Sequence, residues 1–392
     1  MSENSLLTKT HILICLNDLP SEFDYLKKNF CGIVMTVIDK NRLISFEANI
    51  YLYGNIYQIY NSIKNFGLKT IYVIKELSDN YDELCENYKI IDIGKVPINI
   101  HNVGVYFRNF FDSKDYFNVI KNEHEFKMLT ESNKPNNALR KGIYLANVEE
   151  TTDGLIYNLL RCSSNLDGPT DNLRSTDNFI IAQVNNISQH FFREKVELNH
   201  VLAQIYENNN KGKAKIKSHS DKTKDMPRNG IIAFCTFYDN MLNKRSKTDI
   251  FDYVYNKTSA LTKLHFKLKH SVDDKNLIKE FNITLYPNSV FLIPLSTNRL
   301  YTHEIRPSIL PFDKIPTRMG YVIRCSKTRA IFKNNQTYII ENDAHIKLEE
   351  FNEDNIAELR NLYYEENSTD KLINYGNIYF SMNSGDYIKP IL

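Results

Sequence analysis

Phe281-Asn-Ile-Thr-Leu-Tyr-Pro-Asn-Ser-Val-Phe-Leu-Ile-Pro-Leu295 runs directly into Ser296-Thr-Asn-Arg-Leu-Tyr-Thr-His303. The first stretch reads as two short strands split at a Pro287-Asn288 turn, because brief apolar runs bounded by turn residues make strands. The same texture recurs on both sides. Gly230-Ile-Ile-Ala-Phe-Cys-Thr-Phe-Tyr238 and Tyr321-Val-Ile-Arg-Cys325 are short apolar runs. Between Ala260 and Lys269, Leu261, Leu264, Phe266 and Leu268 are set against Lys263, Lys267 and Lys269. Recurrent short strands from about Lys213 to Ala330 predict a β-sandwich or a double-stranded β-helix (jelly-roll).

Within this β-rich stretch the chemistry-bearing residues are His219-Ser-Asp221 and the distant His303. Two imidazoles and one carboxylate form the facial triad that holds non-haem Fe(II) and leaves coordination positions open. On an extended strand the side chains of i and i+2 share a face, so His219 and Asp221 can point together while His303 comes from another strand. Further on, Arg318-Met-Gly-Tyr-Val-Ile-Arg324 carries an arginine at each end. Their even separation puts both on one face, shared with Gly320 and Val322. Paired guanidinium groups suit a dicarboxylate, which each can bind through two parallel hydrogen bonds. On a flat strand the two would stand about 20 Å apart, so both serve one small ligand only if the strand curves and the side chains converge. Each feature alone has a plainer reading. His-Ser-Asp can be a polar surface turn, His303 a half-buried histidine, and the arginines edge-strand charges. Their joint order carries the reading.

That order, His-x-Asp, then Asn-Arg-Leu-Tyr-Thr-His, then Arg-x5-Arg, resembles the Fe(II)/2-oxoglutarate dioxygenases of the AlkB type over roughly residues 195 to 330. The resemblance implies Fe(II) held by His219, Asp221 and His303. It implies 2-oxoglutarate with its distal carboxylate on Arg318 and its metal-side carboxylate near Arg324. The family's Asn-x-Tyr pair is matched by Gln204-Ile-Tyr206, which puts Tyr206 on the cosubstrate. The chain departs from the family in that Gln, in the inserted Asn208-Asn-Asn-Lys-Gly-Lys213, and in lacking the Asn and Thr the family favours between the arginines. The implied activity is oxidation of an alkylated base in DNA or RNA, with hydroxylation leading to demethylation. A 2-oxoglutarate-dependent hydroxylase of a protein or small molecule is the alternative, and a non-catalytic β-barrel binding module a third. Lys211, Lys213, Lys215 and Lys217 lead into the His219 segment. On a strand they would form a track for single-stranded nucleic acid, or an ordinary solvated face. The N-terminal half does not resemble the AlkB nucleotide-recognition lid.

A chain of 392 residues fits two or three domains. The expected class is α+β: an N-terminal α/β domain of unknown function over 1–140, the double-stranded β-helix dioxygenase domain over 150–335, and a C-terminal appendage over 336–392. Hydrophobic content of 42% with 12% aromatic can fill a sizeable core, and a net charge of +2 gives no overall basic signal for nucleic acid. The cysteines at 15, 31, 85, 162, 235 and 325 contain no C-x-x-C, which argues against a zinc site and for a reducing compartment. No secretory signal and no apolar run of membrane-spanning length are visible, so the expectation is an intracellular protein with no membrane partner.

Near the N-terminus His11–Leu16, Gly32–Ile38 and Thr70–Ile74 read as short buried strands, with helical spacing from Ala48 to Phe66. No glycine-rich phosphate loop is present. Ser113 to Leu129 reads as a helix and Glu131 to Asn137 as a loop or linker. Arg161 to Asp177 reads as a polar loop, either facing substrate at a barrel rim or simply connecting. Phe179–Phe192 and Glu197–Tyr206 look helical or mixed, and an acidic helix is expected near Asn355 to Glu366.

Overall fold

All eight residues of the strand Ile231–Tyr238 are buried, and that explains the architecture. A strand covered on both faces needs apolar side chains in both directions, so it reads as a continuous run. Ile232 and Phe234 enter one buried cluster, whereas Ile231, Ala233, Cys235 and Phe237 enter another. The strand is therefore the middle of a sandwich, with something packed on each side.

The computed structural model describes residues 5–6, 11–17, 21–36, 49–56, 70–79, 88–131, 134–161, 166–239, 244–350 and 352–392. Among these, the protein is predominantly β. Its largest sheet has nine strands, with Lys134–Ala146, His200–Tyr206, Arg318–Arg324, Ile231–Tyr238, Ser289–Pro294 and Gly104–Phe107 adjacent in that order. One face packs on a four-stranded antiparallel sheet ordered Ile216–His219, Tyr301–Arg306, Lys263–Leu268 and Glu280–Thr284. Phe266, Phe281, Tyr301 and Ile305 of the smaller sheet share a core with Phe234, Phe291 and Ile293 of the larger. The other face is covered by the helices Tyr116–Glu123 and Ser175–Ser188, which supply Phe117, Ile120, Ile180 and Val184.

The N-terminal strands form a separate parallel sheet in the order Ile33–Met35, His11–Cys15, Asn49–Asn55, Ile71–Asp79, Tyr88–Ile91. Parallel neighbours require crossovers, and much of the connecting chain lies outside the described residues. The helical reading of Ala48 to Phe66 is corrected at its start. Asn49–Asn55 is a strand buried on both faces, so its apolar run carries no period to tell strand from helix. Residues 57–69 of that stretch lie outside the described residues.

Other expectations shift for identifiable reasons. The helix read from Ser113 to Leu129 is only Tyr116–Glu123; the Asp115 side chain caps its start and His124 leaves helical geometry. Lys127–Glu131 and Lys134–Ala146 then form an antiparallel pair where a linker was expected. Glu197 to Tyr206 is not helical: His200–Tyr206 is a strand between Lys134–Ala146 and Arg318–Arg324. The domain boundary expected at 140 falls inside the Lys134–Ala146 strand. Gln336–Glu341 and Ala344–Lys347 join a five-stranded sheet with Val148–Thr151, Gly154–Leu159 and Thr328–Lys333. Cys15, Cys31, Cys235 and Cys325 are free and buried; Cys85 and Cys162 lie outside the described residues.

The polar stretch that runs into the Ser175–Ser188 helix is exposed at Asp167 but not at Asp171 or at Asp177 in the helix's first turn. Asp171 and Asp177 are buried and hold the His124 ring from both sides, at 2.7 Å to Nδ1 and 2.8 Å to Nε2. Tyr321 donates to Asp177 through the large sheet's helix-covered face. Burial pulls the His124 pKa down, but hydrogen bonds and charge from Asp171 and Asp177 outweigh it and hold the pKa at about 9. Glu123, His124 and Asp177 sit close enough to suggest a metal site. Both ring nitrogens are already committed to carboxylates, however, so the arrangement is an imidazolium clamp.

Because the folded-state pKa is raised, the clamp's contribution is complete below about pH 6.5 and is lost as pH rises through about 9. The melting temperature should therefore fall over that interval. His124→Leu should flatten this part of the profile and destabilise by about 3 kcal/mol, since it strands two buried carboxylates. Thermal denaturation across pH checks both. A flat wild-type profile would show that the imidazolium contributes nothing.

Candidate functional site

His219 is the last residue of the Ile216–His219 strand, and that strand pairs antiparallel with Tyr301–Arg306 so that His219 lies opposite His303. The ring centroids are 4.5 Å apart. Asp221 lies just past the strand end, where no ladder holds it. Asn298 holds it instead: its side chain accepts from the Asp221 N–H at 2.8 Å and donates to the Asp221 carbonyl at 2.9 Å. The i, i+2 relation thus survives beyond the strand, and Asp221 Oδ1 faces His219 Nε2 at 3.8 Å and His303 Nε2 at 4.0 Å. One ligand-type atom from each residue lies within 4.8 Å of the other two.

The protonation states suit cation binding. The His219 Nδ1 lies 2.8 Å from the Lys217 carbonyl, which can only accept, so Nδ1 carries the proton and Nε2 offers a lone pair. Burial lowers the pKa of both imidazoles, with that of His303 at about 3, so both rings are neutral near pH 7. Burial alone would raise the Asp221 pKa, but the Arg324 guanidinium and the two histidines reverse that and hold it at about 2. Phe234 meets His303 edge-on at 5.4 Å and Phe266 lies at 5.6 Å, which keeps water from that side. The His219 side chain is 31% exposed, so the cluster opens towards solvent there.

Both arginines of the Arg318–Arg324 strand face this side of the large sheet, and they take different places. Arg324 Nε donates to Asp221 Oδ2 at 2.9 Å. The carboxylate is therefore divided, one oxygen on Arg324 and the other towards the histidines. Arg318 lies between Tyr206 and Tyr238, its direct neighbours on the flanking strands. Its guanidinium covers the Tyr206 ring at 4.0 Å. It also folds back along its own strand: a Cβ on Gly320 would come within 2.9 Å of Arg318 Nη1. The Arg318 side chain thus leans over Gly320, along the strand in the direction of Arg324. Arg318 is 3% exposed, yet its Nε and Nη2 meet no acceptor. The Tyr206 hydroxyl donates to Gln204. Arg306, at the end of the His303 strand, is exposed and paired with Glu304.

Two readings based on strand alternation are corrected. Of the lysine run, only Lys217 lies in the Ile216–His219 strand, whose register is irregular, so the four do not form one strand face. Lys213 donates to the Ser308 carbonyl, while Lys211, Lys215 and Lys217 are exposed. Lys269, grouped with the solvent-facing lysines, is 4% exposed and bonded to the Glu366 and Thr369 carbonyls. Asn298 had a signal that went unused, since it sits in the motif that ends at His303. Tyr238, Phe234 and Phe266 were visible only as core residues.

No family model matches the chain, and no curated protein matches it. Among solved structures, one described as the structure of OsALKBH1 shares 12% identity over 58% of this chain and 99% of its own, at a TM-score of 0.35. That likeness is too slight to carry an argument.

The divided carboxylate makes a stability prediction that needs no ligand. Arg324→Met leaves the Asp221 charge buried with its chief partner gone and should destabilise by about 3–5 kcal/mol in urea denaturation. Adding Asp221→Asn removes the stranded charge and should recover a large part of the loss. No recovery in the double variant would mean that Arg324 acts through packing.

Proposed function

We propose that the protein is an Fe(II)/2-oxoglutarate-dependent dioxygenase of the AlkB type, built on a double-stranded β-helix core. The observation that carries this is the pairing of two features across the facing sheets. Two neutral imidazoles and a carboxylate meet at one end, and on the strand that supplies Arg324 a buried arginine with unspent donors leans over Gly320 on the same face. The donor set fits a hard-to-borderline divalent ion such as Fe(II), which imidazole and carboxylate suit. The unpartnered Arg318 nitrogens fit a carboxylate, because a buried guanidinium without an acceptor carries an unmet desolvation penalty.

In this reading His219, Asp221 and His303 hold the metal. The Lys217 carbonyl and Arg324 fix which atoms of His219 and Asp221 are offered to it. Arg318 binds the distal carboxylate of 2-oxoglutarate, with the Tyr206 ring fixing the plane of its fork. Iron and 2-oxoglutarate together supply O2 activation, with conversion of the keto acid to succinate and CO2 and oxidation of a substrate C–H bond. Phe234 and Phe266 keep the His303 side dry. Arg324 is engaged with Asp221, so any contact it makes with the cosubstrate is shared with that duty.

For the substrate, we propose an alkylated base in single-stranded nucleic acid. Support comes from the exposed Lys211, Lys215 and Lys217, which lead to His219 at the open side of the cluster. Phosphate contacts of this kind make binding steeply salt-dependent. Among the described residues, no helix is long and apolar enough to cross a membrane.

Succinate formation from 2-oxoglutarate tests the reaction. His219→Ala, Asp221→Ala and His303→Ala should each abolish it; wild-type-like turnover in His303→Ala would remove the metal assignment. Arg318→Ala should weaken 2-oxoglutarate binding by roughly tenfold or more, the loss expected for a charge-assisted pair of about 1.5–3 kcal/mol. Arg318→Lys should recover only part, since a point charge does not reproduce the fork.

Oligonucleotide binding tests the substrate. Replacing Lys211, Lys215 and Lys217 with Gln should flatten the salt dependence and leave 2-oxoglutarate affinity unchanged. Absence of binding at low salt would favour a protein or small-molecule substrate.

A further inference from the structure

The ligand-bearing loop is pinned from a direction that the triad does not reveal. Ser220 stands between two of the three metal-type ligands and must face away from them. It is fully buried, and what it faces is the end of the C-terminal helix Glu353–Ser368. The Ser220 N–H donates to Asn367 Oδ1 at 2.8 Å; its hydroxyl donates to the same oxygen at 3.0 Å and to the Glu366 carbonyl at 3.3 Å. Lys222 Nζ donates to the Tyr363 carbonyl at 3.0 Å. The Thr223 N–H donates to Glu366 Oε1 at 3.1 Å, and the Thr223 hydroxyl donates to the same carboxylate.

The same helix end is tied to the strand system that carries His303. Lys269 directly follows the Lys263–Leu268 strand, the neighbour of Tyr301–Arg306, and it donates to the Glu366 carbonyl at 2.5 Å and the Thr369 carbonyl at 3.1 Å. Arg299, in the turn leading to His303, donates to the Asp370 carbonyl at 2.6 Å. Lys222, Lys269 and Arg299 therefore gather at the helix C-terminus, where the backbone carbonyls and the macrodipole favour cations.

We propose that this helix end is a positioning element of the metal centre, with Asn367 as its principal positioning residue and Glu366 as its second. The inference rests on the metal reading above. Its physical basis is that the strand ladder ends at His219, so nothing regular sets the backbone of residues 220 and 221. Two asparagines set it: Asn298 grips Asp221 from the core side, and Asn367 grips Ser220 from the other. Without Asn367 the buried Ser220 N–H loses its acceptor, and the loop must turn to find another. That turn moves His219 and Asp221 out of register. Coupling is reciprocal, so whatever helix docking adds to metal affinity, the metal adds to helix docking.

The test uses the full chain and Co(II) as probe. Asn367→Leu keeps the volume and removes the acceptor, whereas Asn367→Asp keeps an oxygen at the same place. Asn367→Leu should weaken Co(II) binding by about 10- to 100-fold, the range known for groups that orient metal ligands, and should alter the visible absorption of bound Co(II). Asn367→Asp should restore both. In the unmutated protein, Co(II) should slow amide exchange across residues 353–368, and His303→Ala should abolish that protection.

Wild-type Co(II) affinity and spectrum in Asn367→Leu, or exchange in the helix indifferent to Co(II), would reduce the contact to ordinary packing and overturn the proposal. Wild-type Co(II) binding in His303→Ala would instead refute the metal reading itself, and the proposal with it.

Discussion

One carboxylate organises this protein. Asp221 is negatively charged where almost no water reaches, and such a charge persists only if both oxygens are engaged. Oδ2 takes Arg324 from the large sheet; Oδ1 faces two neutral imidazoles from the small sheet. The two sheets therefore meet at a buried ion pair, with the two histidines facing the carboxylate oxygen that Arg324 leaves open. Arg324, Asn298 and Ser220 are each where they are because Asp221 must be held without a strand ladder to hold it.

The large sheet can deliver Arg324 to that point, and hold Arg318 on the same face, because it is covered on both faces. Alternate residues of the Arg318–Arg324 strand serve opposite purposes. Met319, Tyr321 and Ile323 anchor it under the helices, while Arg318, Gly320, Val322 and Arg324 look towards the small sheet. Gly320 is part of this arrangement, since the missing side chain is the space in which the Arg318 guanidinium lies. The inert face resists movement, and the polar face is thereby kept in place. His124, clamped between Asp171 and Asp177, secures the helix side of the same sheet through Tyr321.

What could be read in the sequence follows from periodicity. Ile231–Tyr238, Lys263–Leu268, Ser289–Pro294 and Arg318–Arg324 were legible as strands because their apolar runs are short and bounded by turn residues. The approach of His219 and Asp221 was legible because His-x-Asp shares a face, whereas His303 was picked out by the order of motifs along the chain and the family resemblance that order carries. Asn49–Asn55 was not legible as a strand, since its apolar residues run on towards Phe66 at roughly helical spacing, so the strand was absorbed into a longer helical pattern. Lys269 had the right parity and the wrong surroundings: its face is solvent only until the C-terminal helix covers it. Asn367 carried no local signal, because its partner lies 147 residues earlier in the chain. Contacts of that range are set by packing, and no pattern within either segment encodes them.

The central claim is that a metal and a buried arginine together make one site for 2-oxoglutarate. Calorimetric titration of 2-oxoglutarate into the metal-free and the Mn(II)-loaded protein tests it most directly. The account predicts binding that needs the metal, because Arg318 engages only one end of the molecule and the other end must be held by the cation. Equal affinity with and without Mn(II), or no binding in either state, would contradict it.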